Sequence, residues 1–240
     1  MNADNTKQFY EKYTDIYIKH FGNNFQVYSP NNINKYLNEQ LKSMEVKDGM
    51  QLLDVGCGVC GAAVYFAKKK KISIDCINLS GYQIEIGIKN VEAAKLANRI
   101  NIYEMDYHSL NKAILKQKYD IVYFFESLGH TTRYKEVIDG INSIVKLNGV
   151  LFIKDLFSLN SIENRHSEIA QLREDFFHYK PIDLHELLAV LFYNNFKVEF
   201  IKSLDFKLDN LRLKNFIQDI GLPDGGKETG YWLEIKAIKY

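Results

Sequence analysis

Few stretches of this chain place chemically active side chains at defined spacing, and the first of them is LLDVGCGVCGAA at 52–63. Gly56, Gly58 and Gly61 follow an apolar run as GxGxxG, which lets backbone N–H groups approach a nucleotide-like ligand without interference from Cβ atoms. Asp54 stands at the carboxyl end of that run, the edge where open parallel sheets bind ligands. A carboxylate there repels a pyrophosphate and suits a ligand carrying an ammonium and a sulfonium, so the nucleotide implied is S-adenosylmethionine rather than NAD. Later apolar runs end in further polar groups: Asn78 and Gln83 in INLSGYQ, Asp106 in MDY, Glu126 and His130 in FFESLGH, and Asp155 in FIKDLF. His130 and Asp155 follow successive strands, a placement that suits a base and the carboxylate that orients it. Glu126 is placed to deprotonate a carbocation, which aromatic faces can stabilise.

These residues need an alternating scaffold to share one edge. Short apolar runs predict strands at 51–55, 73–78, 100–104, 120–125 and 150–154, with helical spacing between them at 62–69, 81–97 and 134–145. The pattern predicts an α/β, Rossmann-like, doubly wound and mostly parallel sheet. Late strands at 197–204 and 232–239 bring the total to seven, the last antiparallel, and the two are expected to pair as an antiparallel edge. Pro181 reads as the opening of a helix that runs to Tyr193, and Ser80 as a helix N-cap. Residues 1–48 form an N-terminal cap whose aromatics, from Phe9 to Tyr36, suit a helical lid or cover for the sheet edge. Residues 49–240 form the cofactor domain, with an acceptor-covering insertion at about 158–181.

Composition narrows the function further. At 240 residues and a net charge of +1, the chain fits one α/β domain without a broad basic face for nucleic acid. Cys57 and Cys60 form a CxxC, and with no second CxxC and no HxxxH they read as small packing residues, not metal ligands. No apolar run approaches the ~20 residues of a membrane span, and the polar N-terminus lacks an apolar signal core. A cytoplasmic monomer or homodimer with reduced thiols is expected.

The order of these motifs resembles the class I S-adenosylmethionine-dependent methyltransferases over roughly 49–157. DVGCGVCGAA is similar to the DVGCGVGGPA loop of sterol and related small-molecule methyltransferases, with Cys60 in place of a glycine and Ala62 in place of a proline. INLSGYQ, with its polar residue, Leu-Ser and Gln83, resembles cyclopropane-fatty-acid synthases and the sterol and isoprenoid methyltransferases. The resemblance implies that Asn78, Leu79 and Gln83 hold the ribose side of the cofactor. It implies too that Asp106 accepts from the adenine amino group with Tyr107 beside it, and that Glu126 faces both cofactor and acceptor. The function implied is methyl transfer to a small lipid-like or isoprenoid acceptor at carbon, leaving S-adenosyl-L-homocysteine. O- or N-methylation of a natural product with His130 and Asp155 as base is the alternative, and a noncatalytic cofactor-binding module the alternative of another class. For a diphosphate acceptor the candidate cations are Arg165, His166, Arg173 and Lys180.

Overall fold

The computed structural model describes residues 3–112, 118–159, 168–222 and 230–240. Two helices lead, α1 (Ala3–Phe21) and α2 (Ile33–Ser43), followed by β1 (Gln51–Val55), α3 (Gly61–Lys69), β2 (Ser73–Asn78), α4 (Gly81–Ala93) and β3 (Ile100–Glu104). After a 3-10 turn at Tyr107–Lys112 come β4 (Tyr119–Phe125), a second 3-10 turn at Leu128–His130, α5 (Tyr134–Ile144) and β5 (Val145–Ser158). The remainder is α6 (Glu168–Phe177), β6 (Ile182–Asp183), α7 (Leu184–Tyr193), β7 (Phe196–Ser203), α8 (Asn210–Asp219) and β8 (Tyr231–Lys239).

The strands form one sheet in the order β3-β2-β1-β4-β5-β8-β7, with β6 paired to β5 off that path. Pairs from β3 through β5 are parallel, and β8 runs antiparallel to both of its neighbours. The order reverses between β1 and β4, and the crevice at that switch point is where such sheets bind ligands. Apolar clusters cover both faces, one including Leu53, Val55, Val122 and Phe124, the other Leu52, Phe66, Tyr123 and Phe152. Burial on both faces explains why β1 and β4 read as largely apolar runs. Among the described residues, no helix is long and apolar enough to cross a membrane.

The sheet corrects several expected boundaries. Among the described residues it has eight strands rather than seven, because Ile182 and Asp183 pair with Phe157 and Ser158. Pro181 therefore does not open α7; Asp183 does, its carboxylate accepting from the Glu186 N–H at 3.0 Å. The two late strands do pair as an antiparallel edge, β8 lying between β5 and the outermost β7. Helix α4 stops at Ala93, short of 97, because Lys95 takes φ +59° and the Leu96 N–H turns back to the Val91 carbonyl at 3.0 Å. Strand β5 begins at Val145, passing through Asn148 at φ +59°, and the pairing with β4 slips between Tyr119 and Ile121.

The leading aromatics pack on late helices. Phe9 and Tyr17 of α1 are buried in one cluster with Phe216 of α8 and Ile220 just after it, and Phe9 also meets the rings of Phe176 and Phe177. Helix α2 is tied to β8 by the Tyr36 hydroxyl, which donates to Glu234 at 2.6 Å. The connection between α1 and α2 is thereby stretched over the carboxyl edge of the central strands.

Candidate active site

The glycine turn at the end of β1 is tied to β2, the Gly56 and Cys57 N–H groups both donating to the Ile77 carbonyl, at 2.9 and 3.1 Å. Its left-handed backbone, φ +81° at Gly56 and +56° at Gly58, suits glycine. What approaches the glycines most closely is protein. A Cβ on Gly61 would lie 1.8 Å from the Asn23 carbonyl oxygen, one on Gly58 3.2 Å from the Phe25 ring, and one on Gly56 2.5 Å from Ser127 Cβ. Gly56 and Gly58 still face a pocket with about 790 Å³ of open space, part of it continuous with solvent. Gly61 does not line that pocket; its lack of a side chain admits the loop between α1 and α2.

Asn78, Leu79, Gln83, Tyr107, Glu126 and His130 line the same pocket, so most of the expected residues do converge. Their amides and hydroxyls are committed to one another. The Asn78 amide donates to the Gly58 carbonyl at 3.0 Å and to Gln83 Oε1 at 2.7 Å, while its oxygen accepts from the Leu79 N–H at 2.8 Å. Gln83 in turn donates to the Thr14 hydroxyl of α1 at 2.9 Å, and its own N–H meets the Ser80 cap at 3.2 Å. The ribose-side residues thus brace the glycine turn against the cap.

Besides Gly61, three expected site residues sit elsewhere. Asp54 does not line the pocket; it is buried level with Cys76, where it accepts from the Tyr123 hydroxyl at 2.9 Å. Burial there, with Cys60 nearby, pushes its carboxyl well above the ordinary range. Asp106 turns to His108, accepting from its N–H at 2.9 Å and meeting Nδ1 at 2.6 Å. Burial works to raise the Asp106 carboxyl, but the His108 hydrogen bonds outweigh it and hold it below the ordinary value. Asp155 is fully buried and touches no atom of the His130 ring that carries a hydrogen bond. It accepts instead from the backbone N–H groups of Leu128, Gly129 and Leu156, at 3.0, 3.3 and 2.9 Å, and from the Tyr179 hydroxyl. Its role toward His130 is to hold the backbone turn that carries the imidazole.

His130 has a defined protonation pattern. Nδ1 lies 2.7 Å from the His178 carbonyl, which only accepts, so Nδ1 carries the hydrogen. Nε2 is then left with its lone pair and accepts from the Tyr10 hydroxyl at 2.9 Å. Burial drives the His130 pKa down to about 4. Burial, with the Glu126 and Asp155 charges, raises the Tyr10 phenol and keeps it a donor. The result is a neutral base and a hydroxyl, both on the pocket wall.

Glu126 carries the largest electrostatic commitment. At φ +55° its carboxylate accepts from the backbone N–H groups of Val27 and Tyr28, at 2.9 and 3.1 Å, and pairs with the Lys154 ammonium. Lys154, fully buried in the middle of β5, also donates to the Tyr28 carbonyl at 2.7 Å and lies 4.9 Å from the Trp232 ring. Burial pulls the Lys154 ammonium below its ordinary value, against the pull of Glu126. Sequence reasoning missed Lys154, although a lysine inside the apolar strand FIKDLF is a signal of a buried carboxylate partner. Tyr10 and Phe25 lay within the aromatic lead without being singled out for a role. Of the candidate cations, Arg165 and His166 lie outside the described residues, as does the side chain of Arg173, and the Lys180 N–H donates to the Gly129 carbonyl at 2.8 Å.

Two measurements check this geometry. Glu126→Ala leaves Lys154 buried and unpaired, so denaturant unfolding should show a loss of about 3–5 kcal/mol, with a smaller loss when Lys154→Met is added; additive losses would contradict the pairing. Nitrogen NMR of the imidazoles should find His130 with Nδ1 protonated and a titration midpoint near 4. Because the unfolded chain takes up this proton near pH ~6.5, His130 destabilises the fold as pH falls from there towards about 4. Asp155, its carboxyl raised to about 6 chiefly by burial, works in the opposite direction, its stabilising contribution being lost as pH rises through that value.

With this geometry established, comparison with known proteins identifies the scaffold. The family model for mycolic acid cyclopropane synthetase matches residues 5–211. A sterol 24-C-methyltransferase of Gibberella zeae is 23% identical across 99% of this chain, which spans 61% of that relative's length. Among solved structures, the [4+2]-cyclase SpnF superposes with a TM-score of 0.78 at 15% identity, covering 100% of this chain and 97% of its own. The geranyl diphosphate C-methyltransferase of Streptomyces coelicolor A3(2), solved with Mg2+, geranyl diphosphate and S-adenosyl-L-homocysteine, superposes with a TM-score of 0.72 at 12% identity, covering 99% of this chain and 97% of its own. The chain belongs to the mycolic acid cyclopropane synthetase family, on the class I S-adenosylmethionine-dependent methyltransferase fold.

Proposed function

We propose that this chain is an S-adenosylmethionine-dependent methyltransferase acting at carbon on a small lipid-like or isoprenoid acceptor. The observation that carries the reading is the pocket wall itself, where the positive-φ glycines meet a neutral His130 and the rings of Tyr10, Phe25, Tyr107 and Phe125. Gly56 and Gly58 offer bare backbone for close approach by S-adenosylmethionine, with Asn78, Leu79, Gln83 and Tyr107 around them. Glu126 takes the electrostatic part first assigned to Asp54, since its carboxylate lines the pocket and Asp54 does not. Bound there, S-adenosylmethionine supplies an activated methyl group and leaves as S-adenosyl-L-homocysteine. The chain aligns the acceptor, excludes water beneath the cap and supplies aromatic faces that tolerate positive charge. His130 Nε2 receives the proton that carbon methylation releases, directly or through the Tyr10 hydroxyl. Glu126, already engaged by Lys154 and two N–H groups, is the poorer acceptor.

The names of the sterol and geranyl diphosphate C-methyltransferases support an apolar acceptor. A second reading, O-methylation, draws on the same neutral imidazole, which suits removal of a hydroxyl proton. Residues 1–48 are assigned as the cap and 49–240 as the cofactor domain, with an acceptor-covering role for about 158–181, of which 160–167 lie outside the described residues. The small net charge favours a small-molecule partner over nucleic acid, and three free cysteines suit a cytoplasmic setting.

The test is incubation with methyl-labelled S-adenosylmethionine and a panel of prenyl diphosphates, sterols, unsaturated fatty acyl lipids and phenols, with NMR of the product. A new C–CH3 group is expected, and His130→Ala should lower turnover about 100-fold or more while changing the cofactor Kd less than about threefold. An O–CH3 product would overturn the carbon reading, and full turnover by the variant would overturn the proton role.

A further inference from the structure

Beneath the glycine turn lies a group that the methyl-transfer chemistry does not use. Cys57 and Cys60 come from the turn and Cys76 from β2, and their three sulfurs all lie within 4.8 Å of one another, the Cys57–Cys60 separation being 3.7 Å. All three are free thiols; Cys60 and Cys76 are fully buried, and Cys57, partly exposed as a residue, keeps its thiol in the same buried group.

Packing alone does not account for Cys60. It adopts φ +63°, a left-handed conformation that suits glycine and that a residue with a Cβ takes only at a cost. Helix α4 makes room for the thiol with Gly87, where a Cβ would come within 3.0 Å of Cys60 Sγ. A cysteine held in glycine's conformation, opposite a glycine that clears space for its sulfur, points to use of the sulfur.

We propose that Cys57, Cys60 and Cys76 form an all-sulfur site for a soft monovalent cation of the copper(I) class, which clamps the glycine turn to β2. The donor set contains no nitrogen or oxygen, which favours a thiophilic ion. Metal–sulfur bonds of about 2.3 Å in a trigonal arrangement place the sulfurs about 4.0 Å apart, so small side-chain rotations complete the triangle. Among the described residues no fourth donor joins the group, which disfavours a tetrahedral zinc ion. On binding, copper–sulfur bonds form, the S–H bonds break and the protons pass to the buffer, with no change of oxidation state. Cys60 stands at the N-terminus of α3, where backbone N–H groups favour the negative charge that thiolates bring.

The experiment is anaerobic titration of the reduced full chain with copper(I) against the chromophoric chelator bicinchoninate. One copper per chain is expected, with X-ray absorption showing three sulfurs at about 2.3 Å. Cys60→Gly, whose new residue suits the backbone, should keep the far-UV circular dichroism of the parent and lose affinity by about 100-fold or more. Cys76→Ser, which leaves the turn sequence intact, should show a similar loss. Failure of the parent chain to compete with the chelator, a two-sulfur environment, or affinity retained within about threefold in Cys60→Gly would overturn the proposal.

Discussion

A buried lysine sets the geometry of the pocket. Lys154 lies in the middle of the sheet, opposite Phe125 in register, with 0% of its surface exposed. An ammonium in that position needs an anion within reach, and Glu126, one residue beyond Phe125, is the group that β4 can deliver. The Glu126 N–H donates to the Lys154 carbonyl at 2.8 Å, so backbone and side chains join the same two residues. A carboxylate paired with one ammonium still has lone pairs to satisfy. Val27 and Tyr28 satisfy them, and the loop between α1 and α2 is thereby brought onto the carboxyl edge of the sheet.

The remaining contacts of the cap follow from that placement. Asn23 and Phe25 reach Gly61 and Gly58, Thr14 reaches Gln83, and Tyr10 reaches His130. Each joins the cap to a different strand end, so the glycine turn, the β2 edge and the imidazole are positioned together. The cost of holding a charged pair in a dry sheet is offset by order at the pocket wall, where alignment and exclusion of water matter most for a displacement reaction.

The parallel core was legible because burial on both faces leaves long apolar runs, and each such run ended in a polar residue where a ligand edge belongs. The motifs also led to the correct strand ends: Asn78, Gln83, Glu126 and His130 do line one pocket. What they did not carry was direction. Asp54 follows the pleat of β1 to the face shared with Cys76 and Tyr123, and Asp155 is drawn under the 128–130 turn by backbone donors. Those outcomes depend on cross-strand register and on partners far along the chain, such as Tyr179 for Asp155. The same long-range dependence hid the cap. Its seating rests on Lys154, whose partner is recognisable only once β4 and β5 lie side by side.

The claim that a buried ion pair seats the cap is tested most directly by hydrogen exchange at the Val27 and Tyr28 amides. In the parent chain both should exchange slowly, protected by Glu126, and in Glu126→Gln they should approach the rates of an exposed loop while the β4 and β5 amides stay protected. Unchanged protection of the two amides in the variant would contradict the account.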